Sequence, residues 1–266
     1  MTRKSGTICK NNMLVLFVVI LLTILTGCQT TQRVPNTNAG YGNYYDNDWN
    51  ETFYDNAGLP SKNSIRWVKE GDNRYLRFKL KNKDIGKAEN DDKRRSLAPY
   101  WERAELKQKL YFSKSSTYEI NFKARFVEGF EGGRETFFQI HQWTRNCKVG
   151  PPIMLKFNMS ELRLDAANYN LKNNKRLYAE TSDIDYNINY FLNKWVDFKI
   201  IYSSLKNLIT VYVNNKIIFN KIKFVPAPCG IPHIKFGIYR PGSNFDILKT
   251  SIVDFDEIQI KELKTP

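Results

Sequence analysis

The sequence predicts an all-β protein, an antiparallel two-sheet sandwich of jelly-roll type, from three observations. From about Ile65 onward apolar residues recur with period two, in short runs bounded by Gly, Pro, Asn or Ser, as half-buried strands require. Those runs are rich in β-branched and aromatic residues, the aromatics being 14% of the chain, and such side chains fit a pleated surface. No stretch carries a 3.6-residue apolar period with caps, so no long amphipathic helix is expected. Many short strands with no internal repeat give one sandwich and no second domain.

Taken in order, the first element is not part of that sandwich. Arg3, Lys4 and Lys10 precede an apolar run from Met13 to Leu25, followed by Thr26-Gly27-Cys28. This reads as a basic n-region, an h-region and a small-residue cleavage site, and the run is short for a membrane span. Residues 1–27 are therefore expected to be a signal peptide, with an uncleaved N-terminal anchor as the alternative; either way the domain is exported. Residues 28–60, rich in Asn, Thr, Gly and Tyr without an apolar period, are expected to be a tether and linker. The domain proper is placed at 61–266.

Within it, strands are expected near 75–80, 118–126, 136–143, 153–157, 195–202, 208–213, 217–219, 233–239 and 252–260. Val213-Asn214-Asn215-Lys216 joins two of these by an Asn pair, and Asn tolerates the positive φ of a tight hairpin.

Lys and Arg number 41 against 27 Asp and Glu, a formal +14, which favours an acidic partner. Cleavage after residue 27 removes three positive charges and no negative ones, lowering +14 to +11. Export argues against nucleic acid and leaves an extracytoplasmic polyanion. Two histidines and four dispersed cysteines without a C-x-x-C pair argue against a metal-thiolate site, and no acidic loop is dedicated to calcium. Cys147 and Cys229 remain in the mature domain as a possible disulfide.

Three segments concentrate polar groups on one strand face. Alternation aligns Arg103, Glu105 and Lys107, then Gln139, His141 and Trp143, then Lys235 and Tyr239 with Gly237 between them. A glycine there leaves room for a ligand or another backbone. Each segment alone could be a solvated strand face. Lys93-Arg94-Arg95, Arg134, Arg145 and Arg240 could line an anionic groove or lie in solvated loops. Trp143 could be a sugar platform or core.

Two resemblances follow from these residues. Leu25-Thr26-Gly27-Cys28 resembles the lipobox of bacterial lipoproteins, which implies lipid at Cys28 and attachment to an outer membrane or cell surface. Arg-x-Glu-Leu, Gln-Ile-His and Lys-x-Gly-x-Tyr, in that order, resemble the signatures of family 7 alginate lyases. The stretches 102–106, 138–143, 150–153 and 236–240 are similar to heparin-lyase-I-like and glucuronan-lyase-like enzymes. Trp195 to Lys199 with Val211 to Lys216 is typical of concanavalin-like sandwiches generally. The alginate-lyase pattern differs at Ala104, Lys107 and the segment around Tyr239.

The resemblance implies a concanavalin-like β-jelly roll, a monomer without cofactor, and β-elimination on an acidic polysaccharide. The C5 proton beside a uronate carboxylate becomes removable once that carboxylate is neutralised, a task that falls to Arg103 and Gln139. One good donor aimed at developing charge contributes roughly 3–4 kcal/mol, and general acid–base help adds about 10²–10⁴-fold. Tyr239 is implied as proton donor to O4 and as possible base, with His141 as base or as the group that tunes Tyr239. Lys107, Trp143, Arg145, Lys235 and Arg240 are placed in substrate binding, with Glu105 among them as the group that orients Arg103. His233 is read as ordinary. The rivals are a non-catalytic carbohydrate-binding sandwich and a glycoside hydrolase, for which Asp254 and Asp256 are the available carboxylates.

Overall fold

The computed structural model describes residues 31–33, 49–51, 64–85, 100–108, 111–144, 146–169, 176–179, 186–243 and 249–263. They form two antiparallel sheets within one compact unit, Thr31–Pro266. One sheet has the spatial order β13 (Lys216–Lys223), β12 (Leu208–Val213), β11 (Val196–Ser203), β6 (Thr117–Phe126), β15 (Ser251–Leu263), β4 (Asn73–Leu80) and β3 (Ile65–Glu70), with β1 (Thr31–Arg33) also paired to β15. The other has the order β10 (Arg176–Ala179), β9 (Glu161–Ala167), β8 (Ile153–Asn158), β7 (Thr136–His141), β14 (His233–Pro241), β5 (Trp101–Gln108) and β2 (Trp49–Glu51). A single helical turn, α1 (Ile188–Phe191), is capped by the Asn187 side chain.

The sequence pattern explains this layering. Along β6 the residues Tyr118, Ile120, Phe122, Ala124 and Phe126 are buried and their neighbours are half-exposed, which is period two written in burial. Between the sheets, Phe122 stacks on Phe138 at 5.4 Å, and Phe236 meets Phe78 at 5.4 Å and Phe255 at 5.1 Å; within its own sheet Phe122 stacks on its cross-strand partner Phe198 at 5.0 Å. Such pairs contribute about 0.5–1.5 kcal/mol each beyond the area they bury. The Asn pair behaves as its chemistry predicts: Asn214 and Asn215 have φ of 47° and 65°, and Val213 pairs with Lys216 across a two-residue turn.

Several boundaries differ from the expectation. The segments 31–33 and 49–51 lie in the stretch read as a tether, yet they pair with β15 and β5. Thr-Gln-Arg and Trp-Asn-Glu add backbone hydrogen bonds at sheet positions without an apolar run, so they leave no hydropathy signal. β7 ends at His141, two residues early, because the chain turns there. β9 was not expected, although Leu162 and Leu164 alternate with Arg163 and Asp165. The signal peptide, Cys28 and most of the tether lie outside the described residues.

Spatial order matters more than chain order for function. β14 sits between β7 and β5, so segments some 130 residues apart in sequence become neighbours.

Candidate active site

The register of these three strands sets the site. Tyr239 lies opposite Arg103, Gly237 opposite Glu105, and Lys235 opposite Lys107 on one side and Gln139 on the other. His233 lies opposite His141. Alternation then places Arg103, Glu105, Lys107, Gln139, His141, Lys235 and Tyr239 on one face, while Ala104, Leu106, Phe236 and Ile238 enter the core. Gly237, with φ of 137°, lets β14 approach β5: a Cβ there would lie 2.2 Å from the Ala104 carbonyl oxygen. The glycine makes room for backbone, and a bulge between Phe236 and Tyr239 re-aims the tyrosine end of the strand against β7.

Glu105 organises the polar groups. Fully buried, it accepts from Arg103 Nη1 at 2.5 Å through one carboxylate oxygen and from Gln139 Nε2 at 2.5 Å through the other. Charge-assisted bonds of this kind fix donors strongly, so a single carboxylate aligns both the guanidinium and the amide. The Arg103 guanidinium stands 4.4 Å from the centre of the Tyr239 ring, which also stacks on Trp101 at 4.9 Å. The Tyr239 ring is thus gripped between a cation and an indole.

His141 is constrained more tightly than sequence could show. Its Nδ1 accepts from the backbone N–H groups of Gln142 and Trp143, both at 2.9 Å. A ring nitrogen that accepts is bare, so the neutral imidazole carries its proton on Nε2. Burial, followed by the charges of Lys235, His233, Arg103 and Lys107, holds its pKa well below the usual 6.5. Its neighbour is the other histidine: the rings of His141 and His233 lie 5.6 Å apart and 21° from parallel. His233 Nδ1 lies 3.1 Å from the Ile231 carbonyl oxygen, and a carbonyl can only accept, so His233 carries its proton on Nδ1. Burial is the main reason that its pKa is lowered to about 3. The two histidines are thus both neutral at pH 7 and are opposite tautomers.

The remaining expected residues divide. Lys107 is half-buried with its ammonium 5.5 Å from the Tyr111 ring centre, and Lys235 is buried. Trp143 is half-buried just beyond the end of β7 and serves His141 through its backbone. Arg145 lies outside the described residues, as does Lys93-Arg94-Arg95. Arg240 is not brought to the site. It is 2% exposed, its Nε donates to Glu102 at 2.6 Å, and Nη1 donates to Ser251 and to the Lys249 carbonyl. One position beyond Tyr239, it must point to the opposite face of β14. Asp254 lies on the other sheet, fully buried between Arg77 and Arg125, and so does not supply a hydrolase carboxylate to this face. Cys147 and Cys229 are disulfide-bonded, with Cα atoms 5.6 Å apart.

Sequence reasoning missed Trp101, two residues before Arg103 on the same alternating row. It read His233, two before Lys235, as ordinary without its pairing to His141, and it missed the Lys156–Asp165 pair at 2.7 Å across β8 and β9. The alternation rule reaches Trp101 and His233; the neighbouring strand that gives each its meaning is fixed only by the fold. Among the described residues no group of three His, Cys, Asp or Glu side chains is arranged to hold a metal ion, and no helix is long and apolar enough to cross a membrane.

Comparison with known proteins agrees with this fold. No curated protein matches the chain. Among solved structures, alginate lyase A1-II′, a member of polysaccharide lyase family 7, superposes with a TM-score of 0.53 at 14% identity, over 75% of this chain and 84% of that one. A second structure of that enzyme gives 0.57 at 15%, over 84% and 99%. The endo-β-1,4-glucuronan lyase of the fungus Trichoderma reesei gives 0.55 at 10%, over 88% and 95%. At these identities the likeness establishes the jelly-roll fold. The sequence itself goes further: residues 45–259 match the family described as Polysaccharide lyase, and the chain belongs to that polysaccharide lyase family.

Proposed function

We propose that this lyase is an exported lipoprotein that cleaves a uronic-acid-containing acidic polysaccharide by β-elimination. The observation that carries the proposal is the Glu105 bridge, which aims Arg103 and Gln139 from the face that also presents Tyr239 and His141. Arg103 and Gln139 would hold the uronate carboxylate and take up the negative charge that spreads onto it when C5 loses its proton. Preorganised donors in a water-poor site are worth more than the same donors in water. The relatives in the fold comparison act on alginate or glucuronan by their names, and the A1-II′ enzyme has been crystallised with oligosaccharide product and substrate.

The proton ledger favours one group. With Nδ1 occupied by two amides and Nε2 protonated, His141 is a donor to the substrate and not the base. Tyr239 as phenolate takes the C5 proton; the C–H electron pair forms the C4–C5 double bond, the C4–O4 bond breaks, and Tyr239 returns the proton to O4. One residue can do both only where the C5 hydrogen and O4 share a face of the sugar, as in D-mannuronate and D-glucuronate. L-configured uronates place them on opposite faces and need a second group. The reading therefore favours polymers of D-mannuronate or D-glucuronate, and not of D-galacturonate, whose O4 and C5 hydrogen lie on opposite faces.

The test is absorbance near the ultraviolet band of a 4,5-unsaturated uronate while the purified protein is mixed with polymannuronate, glucuronan, polyguluronate and heparin. New absorbance is expected with the first two, and Tyr239→Phe abolishes it while polymer binding survives. Binding without absorbance on any polymer would mark a carbohydrate-binding module. For export, the Cys28→Ser variant is expected to leave the membrane fraction; an unchanged membrane-bound share would remove the lipid anchor.

A further inference from the structure

The loop after His141 is tied down from two directions. Gln142 is buried; its backbone N–H donates to His141 Nδ1, its carbonyl accepts from the Ile231 N–H, and its Oε1 accepts from the Ala227 N–H at 2.9 Å. Gly230 packs so closely that a Cβ there would lie 2.5 Å from Gln142 Cβ. Two residues further on, Thr144 and Cys147 exchange backbone hydrogen bonds at 3.1 and 3.0 Å. Cys147 is then bonded to Cys229, inside the same 227–231 segment that grips Gln142. The two ring nitrogens of a neutral histidine share one proton, and the hydrogen bond made by one nitrogen decides the state of the other.

We infer that Gln142, clamped by the Cys147–Cys229 disulfide, is a positioning residue that keeps His141 in its Nε2–H form and so presents a donor to the substrate. This rests on the lyase reading of the face. Freed from the clamp, the Gln142 and Trp143 amides leave Nδ1, and the Nδ1–H tautomer becomes accessible with its bare nitrogen toward the substrate carboxylate. A disulfide that served only to cross-link loops 82 residues apart would stabilise the fold and leave the tautomer alone.

Long-range 1H–15N correlation spectra of the intact protein read the tautomer directly. The chain has two histidines, and His233, in the opposite form, is an internal reference. Wild type is expected to show His141 as Nε2–H. In Gln142→Ala and in C147A/C229A the His141 signals shift toward Nδ1–H while His233 is unchanged. On a D-uronate polymer kcat falls on the order of 10- to 100-fold, the scale of small misplacements at a reacting centre, with KM within about twofold. Gln142→Glu keeps the oxygen that Ala227 uses, and Gln142 Nε2 meets no acceptor, so this variant restores the Nε2–H form and most of kcat. If the double-cysteine variant does not fold, the two Gln142 variants carry the same comparison with the disulfide intact.

A wild-type tautomer in folded Gln142→Ala overturns the inference, whatever happens to kcat. The spectra do not depend on turnover. A protein that shifts tautomer as expected but cleaves no polymer would keep the clamp and sink the lyase reading; one that cleaves polymer with an unshifted tautomer would do the reverse.

Discussion

Glu105 accepts from Arg103 and Gln139 on the site face, while Glu102, three positions earlier, is turned to the opposite face and held by Arg240. Burial raises the Glu102 carboxyl above its usual range, with Arg240 opposing that shift. One strand thus spends two buried carboxylates differently, and only the parity of the position separates them. That parity was legible in the sequence for Arg103, Glu105 and Lys107. It also applied to Arg240, whose basic charge beside Tyr239 suggested substrate where alternation pointed to the other face. The two histidines give a prediction at the same scale. Both folded-state pKa values lie below 6.5, His233 at about 3. Stability is therefore full above pH 6.5; as pH falls, the unfolded chain takes up protons that the folded chain refuses, until His233 protonates near pH 3. His233 is expected to cost about 1.4 kcal/mol per pH unit in that window, and His141 acts in the same direction. Denaturant unfolding from about pH 7 to pH 4 should show the loss, and His233→Asn should flatten the slope by one proton's worth. Equal slopes for variant and wild type would show that His233 is not buried neutral.

Individual strands are written in hydropathy because a half-buried strand must alternate; the partners of each strand are not. β5, β7 and β14 could be found separately, and their three polar rows seen, but nothing in 101–108 says that it pairs with 233–241. Pairing is decided by which core side chains interdigitate, here Phe78 with Phe236 and Phe122 with Phe138, and by the close approach that Gly237 permits. Short strands such as β1 and β2 fail the hydropathy test for a different reason, since Thr-Gln-Arg and Trp-Asn-Glu join their sheets through backbone pairing and carry no apolar alternation. The hairpin between β12 and β13 was legible because its chemistry is local. Asn214 is committed there: its side chain accepts from the Asp197 N–H and donates to Tyr190. Asn215 is exposed and adopts a φ of 65°. Asn215→Gly gives the turn its preferred second residue and is expected to raise stability by up to about 1 kcal/mol, read as a higher Tm. A lower Tm would show that the Asn215 side chain contributes a contact worth more than the relieved strain.

Across the whole molecule the surplus of Lys and Arg, +14 in total, is matched at the site by Arg103, Lys107 and Lys235, which share the Glu105 face of three neighbouring strands. These cations do not all act alike. Arg103 is locked into the Glu105 bridge and buried, so salt screens it weakly. Lys107 is half-buried and rests against Tyr111, within reach of ions. Mobile salt shortens the range of an exposed charge to about 10 Å at 0.1 M and about 3 Å at 1 M. Capture of a polyanion should therefore weaken with ionic strength while the chemical step, which leans on the buried Arg103–Glu105–Gln139 bridge, should not. Initial rates on a D-uronate polymer across that salt range are expected to show KM rising several-fold with kcat nearly constant. Lys107→Ala should raise KM at low salt and reduce its salt dependence, leaving kcat close to wild type. The opposite pattern, kcat falling with salt at constant KM, would mean that the chemistry itself leans on exposed charge, and the division between a buried catalytic bridge and an exposed capturing surface would have to be abandoned.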